Sequence, residues 1–180
     1  IQKWIPELFS KKHDSVLYVG ANQKRQHFLD LFEKSGYSKI VILEIFEENV
    51  KFLKNKFVDS KAISIYHGDI RNIDKLNLGK FDVVFFWHGI NLLPRNDIDE
   101  TIKKLENICN NLIVFGIPFG NYLKDDTILY NNPNETNPRK RLSKLTLDKI
   151  LKELNMATID EGCSIAQIAN FCMLHKITYY

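Results

Sequence analysis

The segment Ser15-Val-Leu-Tyr-Val-Gly-Ala-Asn22 decides the fold, because its apolar run stops at Gly20 and a polar, helix-like segment follows. A second apolar run, Val41-Ile-Leu-Glu-Ile45, carries a single acid, Glu44. A strand, a glycine turn, a helix and a second strand that ends in a carboxylate are typical of a doubly wound α/β domain that holds a ribose. The glycine lets the backbone approach a ligand, and the carboxylate accepts hydrogen bonds from a diol. We therefore expect a ligand that contains a nucleoside.

Strand-like and helix-like segments alternate along the whole chain. The predicted strands cover residues 16–19, 40–45, 62–66, 82–87, 112–117, 157–162 and 168–177, and the predicted helices cover residues 4–9, 23–35, 47–57, 98–108 and 147–154. This alternation predicts a parallel sheet with helices on both faces. The last two strands are only a few residues apart, which predicts an antiparallel pair, because a parallel crossover needs about a dozen residues. We expect an α/β, Rossmann-like, doubly wound sheet of seven strands, mostly parallel, with an antiparallel C-terminal strand.

Length and composition indicate one globular domain. A chain of 180 residues can bury a substantial core, and shares of 44% hydrophobic and 26% charged residues are typical of globular rather than disordered chains. We treat residues 1–180 as a single domain, with a helical lead-in at 1–12 and a long polar loop at 118–145. Loops of this length are uncommon in compact domains and often act as lids, so we expect this one on the substrate side.

Cysteine usage and hydropathy indicate the compartment. Cys109, Cys163 and Cys172 form no C-x-x-C pair, and no histidine lies at metal-ligand spacing from them. We interpret them as small buried residues in a reducing compartment and expect no metal. The sequence contains neither a signal peptide nor an apolar run of about 18 residues, so we expect a cytoplasmic protein without a membrane partner. The net charge of +3 is too small to indicate nucleic acid by itself.

Ligands of doubly wound sheets bind beyond the carboxyl ends of the strands, so the residues after each strand are the candidate contacts. They are Gly20, Ala21 and Asn22 after the first strand, Glu44, Ile45 and Phe46 after the second, Asp69 and Ile70 after the third, and Trp87 and His88 after the fourth. We expect Glu44 to accept hydrogen bonds from both ribose hydroxyls and Asp69 to accept one from an exocyclic amine of the base. Ile45, Phe46 and Ile70 are expected to sandwich the base.

Structural interpretations compete with these assignments. Glu44 is also compatible with a solvated acid at a strand end, and Asp69 with the cap of a short helix that begins near Ile70. Asp82 stands at the start of its predicted strand, away from the ligand edge, which favours a structural role.

The dinucleotide fingerprint G-x-G-x-x-G is incomplete here. Counted from Gly20, its second glycine is replaced by Asn22 and its third by Arg25. The second glycine lets the backbone approach a pyrophosphate and the third allows close helix–strand packing, so both losses count against NAD. A ligand that places only an amino-acid moiety over this turn tolerates them better, and Asn enters left-handed conformations more readily than other residues with a side chain.

At these residues the chain resembles the class I S-adenosylmethionine-dependent methyltransferases. The matching pieces are the Val16–Asn22 loop, Glu44, His67-Gly-Asp69 and Phe81-Asp-Val-Val84, and the closing strand pair is similar to the family's reversed hairpin. The resemblance extends from Val16 to the end of the chain. It implies S-adenosylmethionine as the cofactor, with Gly20–Asn22 near its methionine part, Glu44 on the ribose and Asp69 near the adenine amine. The family usually has an acid where Tyr18 stands and glycine-rich sequence at Asn22 and Lys24.

Methyl transfer from a sulfonium is an in-line displacement, so the protein works mainly by holding donor and nucleophile in line. His88 is the candidate general base, because it follows the fourth strand, where the methyl group should lie, and titrates in the useful range. Its other interpretation is packing beneath residues 92–94. The turn Trp87–Pro94 lacks the Asn/Asp-Pro-Pro-Tyr motif of family members that methylate amino groups of nucleic acids and proteins, which favours a small-molecule acceptor.

The leading hypothesis is therefore a methyltransferase acting on a small molecule that is not identified by the sequence. A non-catalytic binding or scaffold module with the same fold is the alternative, and an NAD-dependent oxidoreductase is a weaker one. The basic segment 138–144 fits either a solvated loop or contact with an anionic substrate or RNA.

Overall fold

A computed structural model describes residues 6–9, 11–23, 27–87, 89–120, 127–129, 139–143, 157–160, 163–164 and 167–175. The helices of this part are α1 (His27–Lys34), α2 (Glu47–Lys56) and α3 (Arg95–Ile108), with 3-10 helices at Pro6–Phe9, Ile70–Lys75 and Ile90–Leu92. The strands are β1 (Ser15–Val19), β2 (Lys39–Glu44), β3 (Ile63–His67), β4 (Phe81–Trp87), β5 (Cys109–Gly120), β6 (Thr127–Leu129), β7 (Arg139–Ser143), β8 (Ala157–Asp160), β9 (Cys163–Ser164) and β10 (Gln167–His175).

The first five strands form a parallel sheet in the order β3-β2-β1-β4-β5. The chain moves outward from β1 to β3 and then crosses to the other side of β1 to add β4 and β5. The strand order therefore reverses between β1 and β4, which is where open α/β sheets bind ligands. The predicted Rossmann-like, mostly parallel α/β sheet is confirmed at this level.

Further strands continue the sheet beyond β5. Strand β10 pairs antiparallel with β5, with Leu174 opposite Ile113, and also with β8. Strand β7 pairs antiparallel with β6 and parallel with the end of β5. The segment 118–145, expected as a loop, therefore contains the end of β5 and two further strands. Ladder pairing supplies partners for backbone groups that a polar loop would otherwise leave to water. The predicted helix at 147–154 lies outside the described residues.

The core has two layers because neighbouring strand residues face opposite sides of the sheet. Leu17 and Val19 pack with the α3 side, whereas Val16 and Tyr18 pack with the α1 and α2 side. Helix α3 contributes Ile98, Ile102 and Leu105 to the first layer. Helices thus cover both faces, as the alternation of elements predicts.

Tyr18 belongs to an aromatic cluster beneath α1. Its side chain is fully buried, and its ring meets those of Phe28, Phe32 and Phe85 edge-on at centroid distances of 6.0, 6.1 and 5.1 Å. Such edge-to-face contacts stabilise aromatic pairs beyond the area that they bury. The family's usual acid at this position would have no room for hydration here, so packing explains the departure.

Asp82 joins β4 to the start of β1 at the amino-terminal edge of the sheet. Its Oδ2 accepts hydrogen bonds from Asp14 N (2.9 Å), Ser15 N (3.1 Å) and Ser15 Oγ (3.1 Å). Burial alone would raise the pKa of this carboxyl, but these hydrogen bonds outweigh it and lower the pKa. Asp82 is therefore structural, as its position in the sequence favours.

Candidate functional site

The turn after β1 leaves an open space above the backbone. Gly20 has φ +77°, a left-handed conformation, and its N–H donates to Leu43 O at 2.9 Å. A Cβ built on Gly20 would meet no atom within 4 Å. The glycine is therefore required by its backbone angle, while the space above it can admit a ligand. Ala21 is buried beside it and Asn22 is half-buried.

Glu44 is a buried carboxylate at the end of β2. Its side chain belongs to a residue only 3% exposed, and Oε1 accepts hydrogen bonds from Phe46 N at 2.9 Å and Asn49 Nδ2 at 3.3 Å. Burial raises the pKa of this carboxyl, and the hydrogen bonds from Phe46 and Asn49 offset part of the rise. A carboxylate has about four acceptor sites, so capacity remains for hydroxyl donors. Glu44 is not a solvated strand-end acid.

Two apolar side chains next to Glu44 are exposed. Ile45 is 50% and Phe46 44% exposed, whereas Ile70 is 6% exposed and packs in the core. His67 Nε2 lies 2.9 Å from Ile45 O and ties the segment after β2 to the end of β3. Of the three residues expected to sandwich a base, two are thus exposed and the third is buried in the core.

Asp69 caps the 3-10 helix that follows β3. Its Oδ1 accepts from Arg71 N at 2.9 Å, and its Oδ2 accepts from Arg71 Nε at 2.9 Å and from the same guanidinium's Nη2. Hydrogen bonding to Arg71 lowers the pKa of Asp69. Arg71 also binds Asp97 of α3 at 3.1 Å. The cap interpretation of Asp69 is therefore correct, and its contact with an adenine amine stays a prediction.

Trp87 ends β4 in an aromatic stack. It is 8% exposed, and its ring stacks on that of Phe85 at 5.4 Å and 14°. Gly89 follows in close contact with Phe86, since a Cβ there would lie 1.9 Å from the ring's Cε2. His88 lies outside the described residues, so its role as a general base stays a prediction.

Register brings the four strand ends to one edge. Val19 is opposite both Leu43 and Phe86, and Glu44 is opposite His67. The Gly20 turn, Glu44, the Gly68–Asp69 pair and Trp87 therefore follow adjacent strands around the switch between β1 and β4. The distance between neighbouring strands is about 4.8 Å, which suits one elongated ligand lying across the edge.

Solved structures of known methyltransferases have the same architecture. The methyltransferase domain of bacterial CtHen1-C has a TM-score of 0.71 at 14% identity, covering 97% of this chain and 96% of that one. The glycopeptide N-methyltransferase MtfA complexed with S-adenosyl-L-homocysteine has a TM-score of 0.72 at 12% identity, covering 95% and 86%. An S-adenosylmethionine-dependent methyltransferase from Clostridium acetobutylicum ATCC 824 has a TM-score of 0.67 at 12% identity, covering 97% and 89%.

This chain has the class I methyltransferase fold. The likeness expected from the sequence motifs is thereby confirmed for the architecture. No protein-family model and no curated protein matches the sequence itself. At identities this low, the comparisons establish the methyltransferase fold alone.

Three side chains of the methyltransferase-fold site were not predicted from the sequence. Asn49 and His67 support the segment around Glu44, and Arg71 holds Asp69. Only the contact with Arg71 could be anticipated, because an Asp before a short helix is expected to cap it by accepting from the backbone N–H two residues later.

Among the described residues, no group of three His, Cys, Asp or Glu could hold a metal ion. No helix in that part of the chain is long and apolar enough to cross a membrane.

Proposed function

We propose that this chain is an S-adenosylmethionine-dependent methyltransferase acting on a small-molecule acceptor. The observation that carries the proposal is the buried carboxylate of Glu44, held at the end of β2 beside the open turn at Gly20. A buried acid is costly unless hydrogen bonds engage it, and a ribose diol supplies two donors. Structures of MtfA with S-adenosylmethionine and S-adenosylhomocysteine, which share the fold, support this choice of cofactor.

The described residues fit such a cofactor part by part. The space above Gly20 suits the methionine moiety, and Glu44 suits the ribose. Ile45 and Phe46, about half exposed, suit one face of the adenine. Asp69 retains acceptor capacity on Oδ1, which takes one bond from Arg71 N, for the exocyclic amine. Asn22 and Arg25 stand where the dinucleotide fingerprint has its second and third glycines. They are compatible with this cofactor, because it has no pyrophosphate.

The cofactor supplies a methyl group already activated on a sulfonium. The chain's own contribution is to hold the acceptor in line with that group and to exclude water. We assign the apolar floor of the site to Trp87, which ends β4 and is 8% exposed. We assign to His88 the removal of a proton from the acceptor, where the acceptor has one to lose.

We extend the proposal to the arrangement of the whole chain. Residues 1–180 are taken as one domain with a seven-stranded core sheet that closes with an antiparallel C-terminal strand. Support comes from the path β3-β2-β1-β4-β5-β10-β8 and from the antiparallel pairing of β10 with β5. The segment 118–145 is placed on the substrate side, supported by the attachment of β7 at the carboxyl end of β5.

Calorimetric titration of S-adenosylhomocysteine tests the cofactor assignment. The wild type is expected to bind, and Glu44→Gln should weaken binding about 10- to 100-fold, because a charge-assisted pair of hydrogen bonds is lost. Glu48→Gln, an exposed acid four residues further along, is the matched control and should bind like the wild type. Equal affinity of the two variants, or binding of NAD in place of the adenosyl compound, would overturn the assignment.

Turnover separates the enzyme from a scaffold with the same fold. Transfer of a labelled methyl group to members of a small-molecule panel is expected with the wild type, and at subsaturating cofactor it should fall in Glu44→Gln in parallel with cofactor binding. Tight cofactor binding without any transfer would favour the non-catalytic alternative.

A further inference from the structure

We propose that the methyl acceptor is a small anion, and that strand β7 provides the cationic side of its binding site. This inference rests on the proposed methyltransferase function and deepens it by naming the substrate class. Strand β7 begins with Arg139, Lys140 and Arg141, the most concentrated positive charge in the chain.

The backbone places this basic strand at the carboxyl ends of the parallel strands, where the candidate site lies. Strand β7 pairs in parallel with the end of β5, where Leu142 is opposite Phe119 and Ser143 is opposite Gly120. Because β5 runs parallel to β1–β4, its carboxyl end lies at the same edge as Gly20 and Glu44. The basic strand therefore lies at the edge where the candidate site is, rather than at the opposite edge with Asp82.

The same pairing places β7 on the acceptor side of that edge. The predicted adenine and ribose contacts follow β2 and β3, whereas β5 lies three strands from β2, about 14 Å away. Strand β7 comes within 8 Å of the 3-10 helix Ile90–Leu92, measured between Cα atoms. That helix follows β4, the strand after which the methyl group is expected. Strand β7 is therefore closer to the expected acceptor side than to the nucleoside end.

In the pairing of β7 with β6, no acidic residue is opposite a basic one. Arg141 is opposite Thr127, Lys140 opposite Ile128 and Arg139 opposite Leu129. Arg139 and Arg141 share one face of the strand and Lys140 lies on the other. Opposite charges across a strand pair are a common way to neutralise such a run, and within the described ladder the partners are uncharged. A cation pair on one face matches a carboxylate or a phosphate, which arginine binds through two parallel hydrogen bonds.

A small anion is favoured over RNA by the extent of the charge. Three cations on a short strand cover roughly one anionic group, whereas nucleic-acid surfaces distribute many cations over one face, and the net charge is only +3. The cofactor's own carboxylate is the other possible source of the anion, and the experiment separates it from the acceptor.

The test compares two triple variants with equal charge changes. One replaces Arg139, Lys140 and Arg141 by Gln. The matched control replaces Lys54, Lys61 and Lys80 by Gln, three exposed lysines. Lys61 lies two residues before β3 and Lys80 directly before β4, at the opposite ends of these strands. Each variant lowers the formal net charge from +3 to zero, so long-range electrostatics change equally. Circular dichroism and thermal melting establish that both are folded.

Calorimetry on the protein saturated with S-adenosylhomocysteine then uses inorganic phosphate and citrate as probes. The β7 variant should bind both at least about tenfold more weakly than the wild type, while the control variant is unchanged. The affinity for S-adenosylhomocysteine itself should stay within about twofold in all three proteins, which assigns the anion to the acceptor. A fall in cofactor affinity confined to the β7 variant would assign it to the cofactor carboxylate instead and overturn the proposal.

Two further outcomes would overturn the proposal while leaving the methyltransferase assignment intact. The first is equal phosphate and citrate affinity in the wild type and the β7 variant. The second is binding of a 20-nucleotide RNA that depends on β7 and declines steeply with salt, without binding of citrate. Failure of the wild type to bind S-adenosylhomocysteine would instead contradict the proposed function itself.

Discussion

At the residue scale, the candidate site depends on a backbone angle that glycine adopts without strain and on a carboxylate that is costly to bury. Gly20 holds a left-handed backbone angle below an open space, and Glu44 keeps a carboxylate out of water. The cost of burying the Glu44 carboxylate is the kind of local cost that natural proteins keep where binding requires it. Both residues therefore offer substitutions whose effects on binding and on stability can be separated.

Replacing Gly20 by Ala should reduce cofactor affinity more than a matched change elsewhere. Gly36, at the end of α1, has φ +87° and the same open surroundings as Gly20 with its φ of +77°. Each Ala variant should lose about 1–2 kcal/mol of unfolding free energy, because a Cβ disfavours the left-handed conformation. Only Gly20→Ala places a methyl group in the proposed methionine space. Chemical denaturation and calorimetry with S-adenosylhomocysteine measure the two effects, and equal cofactor affinities would contradict this placement.

Replacing Glu44 by Gln should stabilise the ligand-free protein increasingly as pH rises. Burial raises the pKa of Glu44 in the folded state above its ordinary value of 4.5. The native wild type therefore holds a proton more tightly than the unfolded chain, and its stability falls as pH rises from that value through the raised pKa. The difference in unfolding free energy between Glu44→Gln and the wild type is expected to be larger at about pH 8 than at about pH 4.

Denaturant unfolding of the ligand-free proteins at both pH values checks this, with Glu48→Gln as the exposed control. A difference between Glu44→Gln and the wild type that does not change with pH would mean that the carboxyl is well hydrated. The same variant is expected to bind the cofactor more weakly. Glu44 therefore lowers the stability of the ligand-free protein and raises its affinity for the cofactor.

At the element scale, Arg71 connects the 3-10 helix after β3 to α3. Its guanidinium binds both Asp69 and Asp97, and its carbonyl accepts from Lys104 Nζ at 2.7 Å. Arg71→Gln should raise the pKa of Asp69 towards its ordinary 3.8, because the hydrogen bonds to Arg71 are the main cause of the lowered value. Stability from this contact is present above that ordinary pKa and is lost as pH falls through the lowered one.

Carbon-detected NMR titration of the Asp69 carboxyl measures the change. Lys104→Gln is the control, because Lys104 holds the same 3-10 helix through Asp74 at 3.5 Å without touching Asp69. An unchanged Asp69 pKa in Arg71→Gln would show that the cap's backbone hydrogen bond dominates.

The elements also mark how far the sequence could predict the structure. Periodicity predicted β1–β5 and α2 within a few residues, since their apolar patterns match the burial that each element experiences. The strands inside 118–145 were missed, because β6 spans only three residues and β7 begins with three basic residues, so neither has a readable alternation of apolar and polar residues. Glu44 and Gly20 were predictable from position after a strand, whereas Asn49 and His67 act through local geometry that spacing does not encode.

At the scale of the whole molecule, the amino-terminal and carboxyl-terminal ends of the parallel strands differ in how firmly hydrogen bonds and buried contacts hold them. At the amino-terminal edge, Asp82 accepts three hydrogen bonds from Asp14 and Ser15, and Asp82 N donates back to Ser15 Oγ at 3.0 Å. At the carboxyl-terminal edge, Ile45 and Phe46 are exposed and Gly20 faces open space. Local opening in the ligand-free protein should therefore concentrate at the ligand edge, where fewer buried contacts resist it.

Hydrogen exchange with and without S-adenosylhomocysteine tests this asymmetry. At short exchange times the cofactor should protect peptides that cover residues 43–50 much more than peptides that cover residues 81–85. A saturating ligand also stabilises the whole fold, by about 2.7 kcal/mol at one hundred times its Kd, so slow amides will gain protection at both edges. Only the fast amides, which exchange by local opening, report on the site itself. At the same, subsaturating cofactor concentration those amides should be protected less in Glu44→Gln than in the wild type. Equal short-time protection of both edges in the wild type would place the cofactor somewhere other than the ends of β1 and β2.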